Sequence, residues 1–283
     1  MTTIHSFTTV HGTRLTYTRT GRGTPVICLP GGPLLPAAYL GDLGGLDRQA
    51  ELILVNLPGS DGSVTEDEGT YRCDHLADAL EEFRRHLGLQ RLTLLGHSAG
   101  ANIVLRYAEW HPAHIARLLL VTPSTRAVGI DISDAARSAV ARSRASEPWY
   151  PEAAAALSRI QCGAARAADG DAMAPFSHGR WDDAAAAFNA RMDAERNPRA
   201  TAAFGADGAF DPGATRAALS TLDVPVTIIA GAVDVGLPVV TMAELAGLFA
   251  AADLVVQAGA GHFPWVDDPR QFAALAGAAL ARP

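Results

Sequence analysis

The sequence has no lysine, few cysteines and no long hydrophobic run. All 23 basic residues of the 283-residue chain are arginines, and they face 30 acidic residues, which gives a formal net charge of −7. Binding to nucleic acid requires a basic patch that neutralises phosphates. This acidic balance therefore argues against a nucleic-acid partner and leaves a small-molecule substrate as the expected one.

The three cysteines are far apart in the sequence, at Cys28, Cys73 and Cys162. Neither a disulfide framework nor a CxxC metal-binding spacing is present, which favours a reducing, cytoplasmic setting. The N-terminal residues MTTIHSF do not resemble a secretory signal, and the apolar run at residues 118–121 is too short to span a bilayer. We therefore expect a cytoplasmic chain that does not engage a membrane.

Short apolar runs alternate with amphipathic segments along most of the chain. This rhythm predicts an α/β fold, in which a mostly parallel, eight-stranded sheet is covered by helices on both faces. The predicted strands are a hairpin at residues 7–10 and 15–18, followed by 26–29, 51–57, 92–95, 115–121, 224–229 and 253–257; the predicted helices are 74–87, 99–110, 238–249 and 268–280.

The rhythm breaks in the middle of the sequence. Residues 124–222 form alanine-rich helical stretches without a convincing buried strand. We interpret this segment as an inserted helical cap, with residues 1–123 and 223–283 forming the core that contains the sheet.

The residues GHSAG at positions 96–100 match the pattern G-x-S-x-G between a predicted strand and a predicted helix. Glycines permit a sharp turn at this junction, which lifts the hydroxyl of Ser98 above the sheet and directs the amide of Ala99 toward a developing oxyanion. A turn rich in glycine and serine that matches by chance is the alternative. The strand before the motif and the helix after it favour a nucleophile.

With this motif the chain resembles the α/β-hydrolase superfamily over nearly its whole length. The resemblance implies the order serine, acid, histidine, each following a strand. Asp234 follows the strand 224–229, and His262 follows the strand 253–257. His262 would take the proton of Ser98, and Asp234 would orient the imidazole. Asp253, Asp267 and Asp268 are weaker candidates for the acid, since the first opens a strand and the other two are placed to cap the last helix.

A second oxyanion donor is expected in the loop after an early strand, where residues 29–33 read LPGGP. We expect the amides of Gly32 and Ala99 to act together. The loop resembles the HGGPG loop of proline iminopeptidases (the S33 peptidases), with Pro30 in place of histidine and Leu34 in place of the last glycine. The turn around Ser98, the nucleophile elbow at residues 96–100, reads GHSAG, whereas these peptidases generally have GGSWG.

Residues 56–63, NLPGSDGS, resemble the superfamily segment D-x-x-G-x-G-x-S, with Asn56 and Asp61 as departures. An iminopeptidase would also bind a free amine, generally with carboxylates of the cap. Glu147, Asp193 and Glu195 are candidates for that role, although charged residues in a cap more often form a solvated helix face.

A substrate pocket is expected between the elbow, the cap and the loop at residues 29–33, the oxyanion loop. The cap is rich in large apolar side chains. Any one of these side chains could instead pack the cap onto the sheet. The predicted substrate-binding residues are Gly31, Tyr39, His97, Trp149, Trp181 and Trp265; further large apolar residues of the cap are Phe176, Phe188, Met192 and Phe204.

We expect no metal and no cofactor. His111 and His114 lack an evident third ligand, and the sequence contains neither a dinucleotide-binding nor a phosphate-binding loop. The leading hypothesis is a serine hydrolase of esters or amides with a small apolar acyl group. An iminopeptidase, a thioesterase or cyclase of natural-product biosynthesis, haloperoxidase-like or C–C hydrolase chemistry, and a non-enzymatic binding protein stay open, and a homo-oligomer is compatible with the sequence.

Overall fold

The computed structural model describes residues 3–60 and 68–282, and its eight strands form one sheet. The strand order is β1-β2-β4-β3-β5-β6-β7-β8; β1 and β2 run antiparallel to their neighbours, and the remaining pairs are parallel. The mostly parallel, eight-stranded sheet predicted from the sequence is thus confirmed. The strands are β1 (Ile4–Thr8), β2 (Arg14–Gly21), β3 (Pro25–Leu29), β4 (Glu51–Asn56), β5 (Leu92–His97), β6 (Ile115–Val121), β7 (Val226–Gly231) and β8 (Asp253–Gln257).

Helices follow most of the parallel strands. The predicted helices agree with the structure to within a few residues, and the largest difference is at 238–249, where the helix ends at Ala246. The helices are α1 (Cys73–His86), α2 (Gly100–Trp110), α3 (Asp134–Arg142), α4 (Tyr150–Gln161), α5 (Asp169–Met173), α6 (Asp183–Ala194), α7 (Pro198–Phe204), α8 (Pro212–Leu219), α9 (Val239–Ala246), α10 (Pro264–Asp267) and α11 (Pro269–Ala281).

The central strands are buried on both faces because their side chains alternate between two hydrophobic layers. Leu94 and Leu118 belong to the layer that includes residues of α1, α2 and α9. Leu95 and Leu119 belong to the opposite layer, which includes residues of α11. Full burial of such a side chain stabilises the fold by about 1.5–3 kcal/mol. The continuous apolar runs in the sequence reflect this two-sided burial.

Residues 122–225, between β6 and β7, contain helices and turns but no strand. Part of this stretch has its own small hydrophobic cluster, which includes Leu157 and Phe176. Its last helix, α8, packs instead against α2 on the sheet, and Leu219 joins the core there. The division into a core and a cap at residues 124–222 stays a prediction, and other residues of this segment besides those of α8, among them Val128 and Phe204, also belong to that core.

Within the described ranges, no helix has both the length and the hydrophobicity that a bilayer crossing requires. In the segment at residues 56–63, residues 61–63 lie outside the described residues. The side chain of Asn56 accepts a hydrogen bond from the amide of Ala37 at 2.7 Å and donates one to the hydroxyl of Thr16 at 3.2 Å. Asn56 therefore links β4 to its neighbouring strand and to the loop after β3.

The turn from β5 into α2 is tight enough to exclude side chains at both flanking glycines. A β-carbon on Gly96 would lie 2.8 Å from the Cα of Ala101, and one on Gly100 would lie 2.5 Å from the carbonyl oxygens of Leu29 and Pro30. Between them, Ser98 adopts a φ of +50°, which is uncommon for a residue with a side chain. The glycines therefore let the helix start directly beneath the loop that follows β3.

A buried histidine lies in residues 124–222, the helical stretch between β6 and β7. His178 is fully buried and packs against Trp181, Phe188 and Phe263. Neither of its ring nitrogens has a hydrogen-bond partner of good geometry among the described residues. Burial, aided by repulsion from His262, lowers the pKa of His178 from 6.5 to about 4. The imidazole is therefore neutral in the folded chain at neutral pH.

We expect Gly100→Ala to destabilise the fold by about 1–3 kcal/mol, because the new methyl group would overlap with two carbonyl oxygens. Gly170→Ala is the matched control. Gly170 lies in α5 with nothing within 4 Å of a β-carbon, so this change should gain about 0.4–1 kcal/mol. Urea denaturation of both variants measures the difference, and equal stabilities would contradict this account of the turn.

We expect the stability of the fold to decrease as the pH falls below 6.5, because the unfolded chain then binds a proton at residue 178 that the folded chain does not bind until about pH 4. His178→Phe keeps an aromatic ring in place and removes this proton uptake. Between pH 7 and pH 5 the variant should lose about 2 kcal/mol less unfolding free energy than the wild type. Urea denaturation at both pH values tests this, and equal losses would contradict it.

Candidate active site

The carboxyl ends of β5, β7 and β8 bring together the three residues predicted as nucleophile, acid and base. Asp234 follows β7 and is almost completely buried, with 1% exposure. One of its carboxylate oxygens accepts a hydrogen bond from Nδ1 of His262 at 2.8 Å, and the other accepts one from the amide of Leu237 at 3.0 Å. Both oxygens are thus fixed, and the imidazole presents its other nitrogen, Nε2, to the site.

Ser98 is held through its backbone. Its amide donates to the carbonyl of Val121 at 3.1 Å, and its carbonyl accepts from the amides of Ala101 and Ser124. Ser98 and His262 line the same cavity of about 210 Å³. Within the described residues no hydrogen bond joins the Ser98 hydroxyl to the imidazole; catalytic hydrogen bonds of this kind often form with good geometry only in the complex with substrate.

The backbone of His262 is held on both sides. Its amide donates to the carbonyl of Ser177 at 2.8 Å, and its carbonyl accepts from the hydroxyl of Thr122 at 2.9 Å and from Nε2 of His97 at 3.0 Å. The first of these bonds comes from the helical stretch, and the other two come from residues at or next to the carboxyl ends of β5 and β6. The position of the imidazole therefore depends on both layers.

Asp267 corrects one expectation from the sequence. Asp268 caps α11 as expected, by accepting from the amide of Gln271, but Asp267 does not cap that helix. Its carboxylate instead accepts from the amide of Gly261 at 2.8 Å, next to His262. Burial raises the pKa of Asp267, and hydrogen bonds from the amides of Gly261, Gly179 and Arg180 partly offset that rise. The carboxylate thus joins the loop of His262 to the helical stretch.

The loop after β3 lies directly against the elbow. A β-carbon on Gly31 would lie 2.8 Å from the β-carbon of Ser98, and Gly32 has a φ of +113°. Among the described residues, neither the amide of Gly32 nor that of Ala99 has a hydrogen-bond acceptor, whereas the amide of Gly31 donates to the hydroxyl of Tyr39 at 2.7 Å. The two amides predicted to bind an oxyanion are thus free to do so.

Five of the six predicted substrate-binding residues fall into two groups, and the sixth, Gly31, is not among the residues that line the cavity. Tyr39 and His97 line the cavity, although their polar atoms are engaged by the protein itself. The three tryptophans are not among its lining residues. Trp149 packs on Phe176, Trp181 on His178, and Trp265 on Tyr39 and His97. Their binding role stays a prediction.

Several lining residues were not predicted from the sequence. Phe263 had one usable signal, since it directly follows His262. The others lie in loops or on the helical stretch, where helical periodicity does not reveal which face meets the sheet. These residues are Leu35, Ser177, Asn189, Arg196 and Phe263, and the expected apolar residue Met192 joins them.

The three cap carboxylates considered for binding an amine do not line this cavity. Glu147 pairs with Arg144 at 3.3 Å. Asp193 pairs with Arg196 at 2.7 Å and also accepts from Asn189, while Glu195 is exposed. The two paired carboxylates are thus already bound by the chain's own donors.

A third potential metal ligand joins His111 and His114, because Glu81 of α1 lies beside them. This carboxylate already accepts hydrogen bonds from Arg84, Arg85, Tyr107 and His114. Burial would raise its pKa, but the bonds from Arg84 and Tyr107 lower that pKa to about 2. Because its oxygens are occupied and two cations lie next to it, we assign no metal to this cluster.

Two known proteins with similar sequences match different shares of this chain. An uncharacterized protein of Mycobacterium tuberculosis is 28% identical over 277 residues, which cover 94% of this chain and 78% of that protein. A proline iminopeptidase of Heyndrickxia coagulans is 30% identical over 121 residues, which cover 41% of this chain and 42% of the relative. The predicted resemblance to proline iminopeptidases thus extends over part of the chain.

Among solved structures, an esterase from Exiguobacterium antarcticum superposes with a TM-score of 0.74 at 18% sequence identity, covering 98% of this chain and 99% of that one. This similarity concerns the fold. The family defined by the α/β hydrolase fold matches residues 24–269. A match over that length, together with the sheet order and the elbow, shows that the chain belongs to the α/β hydrolase fold family.

Proposed function

We propose that the protein is a serine hydrolase that cleaves a carboxylic ester or amide of a small molecule through an acyl-enzyme on Ser98. The observation that carries the proposal is the hydrogen bond from His262 to the buried Asp234, at the edge of the cavity that Ser98 also lines. This bond keeps the proton on Nδ1, so Nε2 is the nitrogen that accepts a proton.

In the proposed reaction, the Oγ of Ser98 bonds to the substrate carbonyl carbon as its proton moves to Nε2 of His262. The carbonyl oxygen becomes an oxyanion that the free amides of Gly32 and Ala99 stabilise, each contributing about 3–4 kcal/mol to the transition state. The bond to the leaving alcohol or amine then breaks, and His262 returns the proton to it. Water repeats the sequence on the acyl-enzyme and releases the acid.

The lining of the cavity supports a small acyl group. The volume of the cavity, about 210 Å³, is below the usual range of about 300–1,000 Å³ for small-molecule sites. Leu35, Met192 and Phe263 supply its apolar part, which suits a short hydrocarbon chain.

An iminopeptidase is the second candidate, and the partial similarity to a proline iminopeptidase favours it. In that case a cap carboxylate has to bind the substrate amine. Asp193 contacts two residues that line the cavity, Asn189 and Arg196, but these partners already occupy its carboxylate. We therefore rank ester hydrolysis first. Thioesterase or cyclase activity uses the same chemistry, and a binding protein without turnover is the non-enzymatic alternative.

We expect a fluorophosphonate probe to label the wild-type protein at Ser98 and Ser98→Ala to abolish both labelling and the hydrolysis of p-nitrophenyl butyrate. Asp234→Asn should lower kcat by at least about 10³-fold, because the imidazole loses its preferred tautomer. Ser220→Ala, at an exposed serine after α8, is the matched control and should leave both readouts unchanged. Full turnover by Ser98→Ala would contradict the proposal.

We expect short p-nitrophenyl esters to be better substrates than lactones, acyl thioesters or proline 2-naphthylamide. Among the esters, kcat/KM for butyrate should exceed that for dodecanoate by at least about 10-fold, because the longer chain does not fit the cavity. Steady-state kinetics on this panel measures the ranking. A preference for proline 2-naphthylamide over every ester would instead support the iminopeptidase.

A further inference from the structure

A chain of hydrogen bonds connects the three loops of the candidate site beneath the cavity. The amide of Gly31 donates to the hydroxyl of Tyr39 at 2.7 Å, and that hydroxyl lies 2.6 Å from Nδ1 of His97. On the other side of the same ring, Nε2 of His97 lies 3.0 Å from the carbonyl oxygen of His262. Tyr39 and His97 are both buried, with 3% and 2% exposure.

Only one placement of protons satisfies every member of this chain. A carbonyl oxygen only accepts, so Nε2 of His97 carries the proton that bonds to His262. In the neutral ring Nδ1 must then accept, and the hydroxyl of Tyr39 donates to it. The oxygen of Tyr39 accepts from the amide of Gly31 in turn. Each polar group in the chain thus has a defined role.

Burial keeps both side chains in the neutral forms that this placement needs. It raises the pKa of the Tyr39 hydroxyl, so the donor stays protonated. Burial also holds the pKa of His97 well below its ordinary value, and repulsion from His262 lowers it further. Protonation of Nδ1, which would break the bond to Tyr39, is therefore strongly disfavoured at neutral pH.

The ends of the chain are groups next to the reacting atoms. Gly31 immediately precedes Gly32, and His97 immediately precedes Ser98. A β-carbon on Gly31 would lie 3.1 Å from Nδ1 of His97, so the oxyanion loop packs directly on this ring. The other end is the backbone of His262 itself.

We propose that Tyr39 and His97 are positioning residues that fix the oxyanion-binding loop and the loop of His262 in relation to the nucleophile. This inference rests on the proposed serine hydrolase function and deepens it. Their polar atoms bond to the protein and not to substrate, so their effect is on the placement of the Gly32 amide and of the imidazole. Misplacement of such groups slows the chemical step more than it weakens substrate binding.

The chain offers a matched control. The hydroxyl of Tyr17, a buried residue of β2, lies 3.3 Å from Nε2 of His86, an exposed residue at the end of α1, and the two form a second tyrosine–histidine pair. Neither residue lines the cavity. Tyr17→Phe removes the same hydroxyl from the same kind of pair without touching the site.

We expect Tyr39→Phe to lower kcat for p-nitrophenyl butyrate by about 10–100-fold, with KM within about 2-fold of the wild type. The reason is that the amide of Gly31 loses its acceptor, so the adjacent amide of Gly32 is no longer held in place for the oxyanion. Affinity for a butyl boronic acid, which mimics the tetrahedral state, should weaken by a similar factor. Tyr17→Phe should change neither value by more than about 2-fold. A Tyr39→Phe variant that matches Tyr17→Phe in kcat and in boronate affinity would overturn the inference.

A second pair of variants tests His97. These variants still test the inference if the Tyr39→Phe protein does not fold. His97→Gln retains one acceptor and one donor, whereas His97→Leu has neither. We expect His97→Gln to retain at least about 10-fold more kcat than His97→Leu, at equal thermal stability. Equal kcat in the two variants would count against the inference.

The wild type separates this inference from the function on which it rests. Labelling of Ser98 and turnover by the wild type, with a Tyr39→Phe variant that is equally active, would remove the positioning role and leave the serine hydrolase standing. A wild type that neither labels nor turns over any ester of the panel would remove both.

Discussion

The hydrogen bond between Nδ1 of His262 and the carboxylate of Asp234 is the interaction on which the candidate site depends. It is possible because the two residues follow adjacent parallel strands, β7 and β8, whose register aligns Gly231 with Gln257 at their ends. Burial of the carboxylate would be unfavourable without partners, and the amide of Leu237 supplies the second one. One bond thus fixes the tautomer of the base and satisfies a buried charge.

Much of the fold was predictable because strands that are buried on both faces appear in the sequence as continuous apolar runs. β6 occupies the predicted residues, Ile115–Val121, and six of its seven residues are buried. The elbow was predictable for a steric reason, since Gly96 and Gly100 occupy positions where a β-carbon has no room. Similarly, Asp234 and His262 could be assigned because each follows a strand in the order that the superfamily resemblance implies, and the structure brings the two into hydrogen-bonding contact.

The contacts around these residues could not be read from the sequence. Asp267 has the local setting of a helix cap, yet its carboxylate accepts a hydrogen bond from the amide of Gly261, six residues earlier in the segment between β8 and α11. Arg196 reaches the carbonyl of Gly32 at 3.4 Å across 164 positions of the chain. The contact of Arg196 depends on how the helical stretch lies on the sheet, and no local pattern encodes that placement. The tryptophans illustrate the same limit, since Trp149 packs within the stretch.

Residues 177–180 attach the helical stretch to the loop that carries the base. Ser177 accepts the amide of His262, and a β-carbon on Gly179 would overlap with the carbonyl oxygen of Gly259. If the helical stretch moved as a lid about residues 177–180, each opening would break the hydrogen bond from the amide of His262 to the carbonyl of Ser177. These contacts tie the position of the imidazole to residues 177–180, so any movement of the helical stretch that leaves the base in place must also leave these residues in place.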